Sequence, residues 1–370
     1  MRGKVRGQQE LVCLMSPEMA VPKGHPIRPI KKFVDIVLTD LSALFDEMYA
    51  EQGRPSIPPE RLLKCKVLMA LFTVRSERLL VEQIGYNLLY RWFLDMDLDE
   101  PVFDASSLSK NQQRLLDHDV AHIFFVRVVA EAQQAGWISD EHFSVDGTLI
   151  EAWASMKSFR PKASSDDDSG GGDSNGWVDF HGQKRRTDTH ESRTDPDARL
   201  LRKGKGKEAK LCFGAHALME NRNGLCLDLK VTSATETTEV AAALEMLDEQ
   251  EEVYDRKGTS VGADKNYHSK AFVSGCRDRG AKPHVATIKN RKTPGLDGRT
   301  LNSRGYETSQ RLRKRIEEIF GWMKTVGGFR KTRYRGIART QQSGWLVAAA
   351  YNLVRMAKLG SSPPLATAPA

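Results

Sequence analysis

Residues 142–150 read HFSVDGTLI, and this stretch decides the fold because the sequence pattern changes there. Its apolar and polar residues alternate, which predicts a half-buried β-strand. Before it, apolar residues recur at helical spacing; after it, strand-like and helical segments follow one another. The order β, long insertion, β, β, α, β, α, β, α predicts a mixed α/β domain preceded by an all-helical module.

The helical module is predicted from two runs of apolar residues spaced three or four apart, at residues 33–48 and 62–72. Pro59 favours a helix start just before the second run. Ser109 and Gln112 have the spacing of a capping box, which predicts another helix start at Ser109.

The chain is predicted to consist of a loose leader, the helical module, a catalytic α/β domain and a tail, at residues 1–29, 30–137, 138–360 and 361–370. Within the α/β domain, residues 161–210 combine low hydrophobicity with dense charge, so we expect them to be disordered or loop-like. Strands are predicted at residues 210–220, 225–233, 259–264 and 284–288, and helices at 238–252, near Phe272 and at 310–324.

Basic residues are concentrated in one C-terminal segment. The chain has 370 residues and a net charge of +8. From Arg304 to Arg339 there are eleven Lys or Arg residues and three Glu residues, so this segment alone carries an excess of +8. A solvated basic face is the simpler interpretation of any one cluster, but this concentration favours a surface that follows the phosphates of a nucleic acid.

Composition excludes several other classes of protein. Hydrophobic residues make up 40% of the chain and charged residues 28%, which are ordinary values for a folded globular protein. The five cysteines form no CxxC pair, which argues against a disulfide framework or a zinc ribbon. The longest apolar stretch, around residues 345–354, is too short to span a bilayer. We therefore expect a cytoplasmic protein, associated with the nucleoid and not with a membrane.

Three acidic residues are candidate metal ligands: Asp146, Asp264 and Glu317. Asp146 lies in the alternating strand that opens the α/β domain, Asp264 at the C-terminal end of a later strand, and Glu317 on the last predicted helix. Such side chains can converge at one edge of a sheet. Three carboxylates meeting there would bind two hard divalent cations, one activating an attacking water or 3′-hydroxyl and the other stabilising the leaving oxygen.

The helix predicted at residues 310–324 distinguishes Glu317 from its neighbour Glu318. A buried stripe at helical spacing is predicted from Leu312, Ile316, Ile319 and Met323. Arg313, Glu317 and Lys324 fall on a line bordering this stripe, whereas Glu318 points further toward solvent. The alternative is that Arg313 and Glu317 form only a surface ion pair, worth roughly 0.2–0.5 kcal/mol.

The spacing Arg313-x3-Glu317-x6-Lys324 resembles the Y(2)R(3)E(6)K signature of DDE transposases from bacterial insertion sequences. The segments FSVDGT, VGADKNY and RIEEIFGWMKTVGGFRKTRYRG, with PSIPPERLLKCKVLMALF in the helical module, resemble the large insertion-sequence group conventionally numbered five. The resemblance extends to about Tyr351 and covers most of the chain. It departs from the signature at one position, because Gln310 stands where the family has tyrosine.

This resemblance implies a ribonuclease H-like fold, with Asp146, Asp264 and Glu317 as the catalytic, metal-binding triad and Arg313 and Lys324 as basic, DNA-binding partners. It implies two Mg²⁺ ions, which Mn²⁺ can replace. The implied reaction is hydrolysis at the element's end to free a 3′-hydroxyl, followed by attack of that hydroxyl on target DNA. The implied partners are double-stranded DNA, in the form of terminal inverted repeats and target, and a second copy of the chain in a homodimer on paired ends.

Two other functions stay open: a catalytically inactive DNA-binding regulator derived from a transposase, and a structure-selective nuclease of the same fold. The intact triad argues against the first, and the large helical module argues against the second. Lys331, Arg333 and Arg335 alternate with other residues as in an extended segment, so a contact with the DNA backbone competes with a plain solvated loop.

Three further residues are expected to have structural roles. His216 and His268 are lone histidines, which are more often structural or surface residues than metal ligands. Trp322 stands beside two apolar residues and is expected at the edge of the core, the alternative being a stack on a displaced base.

Overall fold

The protein, described by a computed structural model, combines an N-terminal helical region with a mixed sheet and flanking helices. The structure describes residues 16–49, 56–162, 186–202, 206, 208–235, 238–250, 258–288, 292 and 295–361. The predicted α/β class, with helices preceding the sheet, is confirmed. The strands and the helix predicted between residues 210 and 288 begin and end within three residues of the observed elements.

The N-terminal region consists of short and medium helices that share one hydrophobic core with the end of the chain. Their bounds are α1 Pro17–Ala20, α2 Ile27–Asp40, α3 Ser42–Glu47, α4 Pro59–Leu71, α5 Glu77–Tyr86, α6 Leu88–Phe93, α7 Ala105–Asp117 and α8 Val120–Gln134. Local interactions set the starts of several helices. Pro59 is the first residue of α4. The side chain of Ser76 caps α5 by accepting from Leu79 N at 3.1 Å, and that of Asn87 caps α6 by accepting from Leu89 N at 3.0 Å.

The predicted helix start at Ser109 is wrong. The helix begins at Ala105, where the carboxylate of Asp104 accepts a hydrogen bond from Ser106 N at 2.6 Å. An ionised carboxylate is a strong acceptor for the free N–H groups of a first helical turn. Ser109 therefore lies inside α7, and its hydroxyl donates to Glu77 at 2.5 Å.

The leader predicted at residues 1–29 is also wrong for its second half. Residues 16–29 contain α1 and the start of α2. Arg28 donates to Glu18 at 2.7 Å and lies 5.0 Å from the centroid of the Trp92 ring. Contacts with Trp92, which is far away in the sequence, hold this segment in place. Such contacts leave no periodic pattern in the sequence of the segment itself. Residues 1–15 lie outside the described residues.

The α/β domain is built on a mixed sheet. Its strands are β1 His142–Glu151, β4 Arg199–Arg202, β5 Ala209–Glu220, β6 Cys226–Ser233, β7 Ser260–Ala263 and β8 Lys282–Val285, and β2 Phe159–Pro161 pairs separately with β3 His190–Ser192. The strands β5, β1, β7 and β8 are adjacent in that order, and both β6 and β4 pair with the outer edge of β5. Strand β1 is antiparallel to β5 and parallel to β7. This arrangement is ribonuclease H-like.

The segment predicted to be disordered at residues 161–210 contains two of these strands. Both β3 and β4 fall within it, so the prediction is wrong for residues 186–202. Two charged residues in it have structural roles: Asp195 accepts from Gly336 N at 3.2 Å and Asp197 accepts from Ile337 N at 3.0 Å. These partners are 141 and 140 residues away, so the local sequence shows the charges without the contacts that order the segment. Residues 163–185 lie outside the described residues.

Helices cover both faces of the sheet. Their bounds are α9 Thr238–Glu249, α10 Lys270–Asp278, α11 Gly298–Leu301, α12 Arg304–Leu312, α13 Ile316–Thr325 and α14 Ile337–Ser361. Successive residues of a strand point to opposite faces. On β1, Thr148 bonds Lys324 of α13, whereas Gly147 lies against Glu239 of α9. Helices α9 and α13 therefore lie on opposite faces of the sheet.

The single helix predicted at residues 310–324 is wrong in its start and its continuity. Helix α12 begins at Arg304, capped by the Ser303 hydroxyl, which accepts from Tyr306 N at 3.1 Å. A 3₁₀ turn at Arg313–Arg315 separates it from α13. The polar first turns of α12 carry little apolar periodicity, which hides its start in the sequence.

The long helix α14 joins the helical region to the sheet. It packs against β6 and against α8, α4 and α2. Its buried amides satisfy the backbone of β6: Asn352 accepts from Cys226 N at 2.8 Å and donates to Cys226 O at 2.7 Å, and Gln341 donates to Leu229 O at 2.7 Å. No helix within the described residues is long and apolar enough to cross a membrane.

Candidate active site

Asp146 lies in β1, and Asp264 directly follows the neighbouring strand β7. Parallel pairing of β1 and β7 sets Ser144 opposite Gly262, an offset of 118 residues. Asp264 is likewise 118 residues after Asp146. It directly follows Ala263, the last residue of β7. Continuing the register places the two aspartates level, with their strands about 4.8 Å apart.

Local hydrogen bonds orient both carboxylates. Asp146 Oδ1 accepts from the following amide, Gly147 N, at 2.8 Å. Asp264 caps a 3₁₀ turn at Lys265–Tyr267, and its Oδ1 accepts from Asn266 N at 2.7 Å. The strand therefore ends in a turn that presents the second carboxylate beside the first.

The surroundings of Asp146 disfavour its charged form. The pKa of Asp146 is raised to about 7, first by burial and then by the charges of Asp264 and Glu239. The backbone N–H of Gly147 and the guanidinium of Arg313 oppose this shift. A bound divalent cation would supply the positive charge that these carboxylates lack.

The donor set at this edge suits a hard divalent cation, because it consists of carboxylate oxygens. The phenol oxygen of Tyr267 is buried there, and within the described part of the chain it has no hydrogen-bond partner. Burial raises the pKa of Tyr267, and the charges of Asp146, Glu239 and Asp264 raise it further. The water molecules around a bound ion would supply hydrogen-bond partners for these polar groups. In the described part of the chain, however, no three His, Cys, Asp or Glu side chains are gathered closely enough to hold an ion as they stand.

Arg313 is held against the strand pair by Gln310. A Cβ atom on Gly262 would lie 3.2 Å from Arg313 Cβ, so the arginine packs directly on β7. Gln310 Oε1 accepts from Arg313 Nε at 2.9 Å, and its Nε2 donates to His284 O at 2.5 Å. The residue at the family's tyrosine position therefore ties the arginine to the end of β8.

Lys324 lies on the same face of the sheet as Arg313, at a later position along β1. Its Nζ donates to the hydroxyl of Thr148 at 2.5 Å. Thr148 is two residues after Asp146, so both side chains leave the strand on one face. Arg313 and Lys324 therefore flank the level of Asp146 along the strand.

Glu317 lies in the first turn of α13, between Arg313 and Lys324 in the chain, and its side chain is exposed. The structure does not bring it into contact with Asp146 or Asp264. Its neighbour Glu318 has other partners, with oxygens 3.8 Å from both Arg315 and Arg355. The structure therefore places the two aspartates of the predicted triad together, whereas Glu317 does not contact either of them.

The three cations predicted on one extended segment have different surroundings. Lys331 is exposed and lies 5.8 Å from the centroid of the Trp153 ring. Arg333 is half-buried and donates to Val74 O at 2.7 Å, which links it to the helical region. Arg335 is exposed. A DNA contact by these residues stays a prediction.

The residues expected to be structural lie in or beside the core. His216 is buried, its Nε2 lies 2.9 Å from Thr232 Oγ1, and burial lowers its pKa to about 4. His268 is buried and accepts from Ile288 N at 3.3 Å. Trp322 packs edge-on against Tyr351 with ring centroids 5.8 Å apart.

Two family models match the chain. One is described as a transposase domain (DUF772) and matches residues 15–114. The other is described as a transposase DDE domain and matches residues 170–353. The second match includes Asp264 and Glu317, and Asp146 lies between the two matched ranges. No curated protein matches the chain.

Solved transposase structures resemble the chain only loosely. A piggyBac transposase synaptic complex with hairpin DNA shares 8% identity, with 91% of this chain and 76% of that chain covered at a TM-score of 0.40. A pre-cleavage Mos1 transpososome shares 10% identity, with 84% and 82% covered at a TM-score of 0.21.

Proposed function

We propose that the chain, whose residues 15–114 and 170–353 match transposase domain models, cleaves DNA at the ends of an insertion sequence and transfers the freed 3′-ends into target DNA. We further propose that it falls in the insertion-sequence group conventionally numbered five, on the motifs quoted above. The observation that carries the catalytic proposal is the level placement of Asp146 and Asp264 on paired parallel strands.

Asp146 and Asp264, joined by Glu317, would hold the divalent cations of the reaction. Mg²⁺ is the ion we propose, with Mn²⁺ as a substitute; when bound, these ions activate the attacking oxygen and stabilise the leaving oxygen. Glu317 would join the pair through a rotation of its exposed side chain, for which no ion pair is present among the described residues. Arg313 and Lys324 flank this level of β1 and would bind the phosphates on either side of the scissile bond.

DNA is the proposed partner of the basic segment and of the helical region. Lys331 and Arg335 are exposed in the segment that follows α13, where they can contact phosphates. Arg333 would contribute by fixing this segment to the helical region through Val74. We propose that the helical region recognises the terminal inverted repeats and that two copies of the chain act as a homodimer on paired ends.

A DNA-binding regulator without catalysis is the second candidate, and the exposure of Glu317 favours it. One experiment separates the two functions. Purified chain is mixed with Mg²⁺ and a labelled DNA fragment that carries the element's own terminal repeats. The proposal expects nicking at the end of the repeat, lost in Asp146→Ala while binding is retained. Binding by the wild type without any metal-dependent nicking would establish the regulator.

A further inference from the structure

The start of helix α9 lies at the same edge of the sheet as Asp264. Strands β6, β1 and β7 are parallel, because β6 and β1 are both antiparallel to β5 and β7 is parallel to β1. Their C-terminal ends therefore point in one direction. Helix α9 begins five residues after β6 ends, and Glu239 is its second residue. The sequence did not single out this glutamate, because its importance depends on the strand order.

Glu239 faces the backbone of β1 directly behind Asp146. A Cβ atom on Gly147 would lie 3.5 Å from Glu239 Oε1. Glu239 is half-buried, and no ion-pair partner for it is present among the described residues. Burial raises the pKa of Glu239, and the charge of Asp264 raises it further. Glu239 thus adds a third carboxylate beside the two aspartates, and no cationic side chain among the described residues forms an ion pair with it.

Two buried polar atoms without partners surround this carboxylate. His216 Nδ1 lies 2.9 Å from the same Cβ position on Gly147, and this nitrogen has no hydrogen-bond partner in the described structure. The phenol oxygen of Tyr267 is also buried and has no hydrogen-bond partner among the residues that the structure describes. Buried polar atoms are rarely left unpaired. Water molecules of a hydrated cation would pair with both atoms and with the carboxylates.

We propose that Glu239 is a further carboxylate of the metal site, and that it holds a hydrated divalent cation together with Asp146 and Asp264. This inference rests on the proposed function, because it adds a residue to the same site. Glu239 approaches from the α9 face and Asp146 from the α13 face, and β7 ends at Ala263 beside them, so the ion would lie next to β1 just past the end of β7. Metal-bound water would bridge the three carboxylates, which among the described residues are not close enough together to hold an ion directly.

A purely structural role for Glu239 has a distinct signature. An acidic residue in the first turn of a helix is stabilised by the helix dipole. Its replacement by glutamine would then lower thermal stability slightly and leave metal affinity unchanged. Glu245, six residues later on α9, provides the matched control, because it is exposed and forms an ion pair with Lys230 at 2.6 Å.

Mn²⁺ binding to the full chain without DNA tests the proposal, with free Mn²⁺ measured by electron paramagnetic resonance. We expect Glu239→Gln to weaken binding by about tenfold or more, and Glu245→Gln to match the wild type. Circular dichroism melting verifies that each variant is folded. A second readout replaces Mn²⁺ by Fe²⁺ with ascorbate: the wild type should be cut near residues 146 and 239, and at limiting Fe²⁺ both cuts should be weaker in Glu239→Gln.

The outcomes separate this inference from the proposed function. Mn²⁺ affinity of Glu239→Gln within twofold of the wild type, with affinity lost in Asp146→Asn, would overturn the role of Glu239 and leave the metal site standing. Equal affinity in the wild type, Asp146→Asn and Glu239→Gln would overturn both. If Glu239→Gln does not fold, Glu239→Asp replaces it, and cuts near residue 239 in the wild type decide the question.

Discussion

The side-chain oxygen of Gln310 accepts a hydrogen bond from Nε of Arg313 at 2.9 Å. The amide nitrogen of Gln310 is itself tied to His284 O at the end of β8. Glutamine thus fixes the arginine from a position where the family signature has tyrosine. The departure from the signature therefore has a structural role in this chain, which is to hold Arg313 against the end of β8.

Gln310→Leu should slow DNA cleavage because it releases Arg313 from this anchor. A loosely positioned phosphate-binding group typically costs about ten- to a hundredfold in rate. Single-turnover nicking of a terminal-repeat fragment measures the effect. Gln310→Glu keeps an acceptor for Arg313 and should retain more activity than the leucine variant. Wild-type rates in Gln310→Leu would contradict this positioning role.

Lys324→Met should lower the cleavage rate more than it lowers DNA affinity. Lys324 lies beside the proposed reacting phosphate, whereas overall affinity is shared among many phosphate contacts. Lys314→Met is the control, since Lys314 is an exposed lysine in the neighbouring 3₁₀ turn. Rates and dissociation constants are measured on the same fragment. A similar loss of rate in both variants would assign the effect to net charge instead.

Asp228→Asn should stabilise the protein increasingly as the pH rises from about 4 to about 8. Burial raises the pKa of Asp228 to about 8, and the charge of Glu249 contributes. A carboxyl with a raised pKa binds its proton more tightly in the folded state, so the unfolding free energy falls as pH rises from about 4 toward that value. Asparagine remains neutral and abolishes this loss.

Urea unfolding at several pH values measures that difference. The gain in unfolding free energy of Asp228→Asn over the wild type should be smallest near the unfolded pKa of about 4 and should level off above about 8. The exposed Asp99→Asn variant serves as control and should follow the wild type throughout. A gain that is constant with pH would show that titration of Asp228 is not its cause.

Asn352→Leu should destabilise the junction between α14 and β6. It leaves the N–H and C=O of Cys226 buried without partners, which costs about 3 kcal/mol in unfolding free energy. Gln133→Leu makes a similar amide-to-leucine change on the exposed face of α8. Urea unfolding of both variants at one pH is sufficient. Equal unfolding free energies of Asn352→Leu and the control would contradict this prediction.

Local pattern was enough to predict much of the fold. Alternation in β1, the apolar runs of β5 and β6, and the periodicity of α2 and α4 are properties of neighbouring residues, and these elements were predicted. Strand β4 was missed because its surroundings are held by partners elsewhere in the chain, whereas the start of α7 was missed because the local cap by Asp104 was overlooked in favour of Ser109. Asp195 and Asp197, for example, accept from backbone N–H groups about 140 residues later.

The candidate site was predictable only as a set of residue types. Strand context suggested Asp146 and Asp264, but their level placement follows from the register of β1 on β7. Helical phase distinguished Glu317 from Glu318, although the 3₁₀ turn at Arg313–Arg315 interrupts the assumed helix. Glu239 had no local signal, because its approach to β1 requires the sheet to be formed.

Replacement of Asp264 by cysteine tests most directly whether the level aspartates share a catalytic ion. Mn²⁺ accepts a sulfur ligand more readily than Mg²⁺ does. We expect Asp264→Cys to nick the terminal-repeat fragment in Mn²⁺ and not in Mg²⁺, and Asp264→Asn to be inactive in both. Asp264→Cys that nicks at the wild-type rate in Mg²⁺ would contradict the assignment of Asp264 beside Asp146 as a metal ligand.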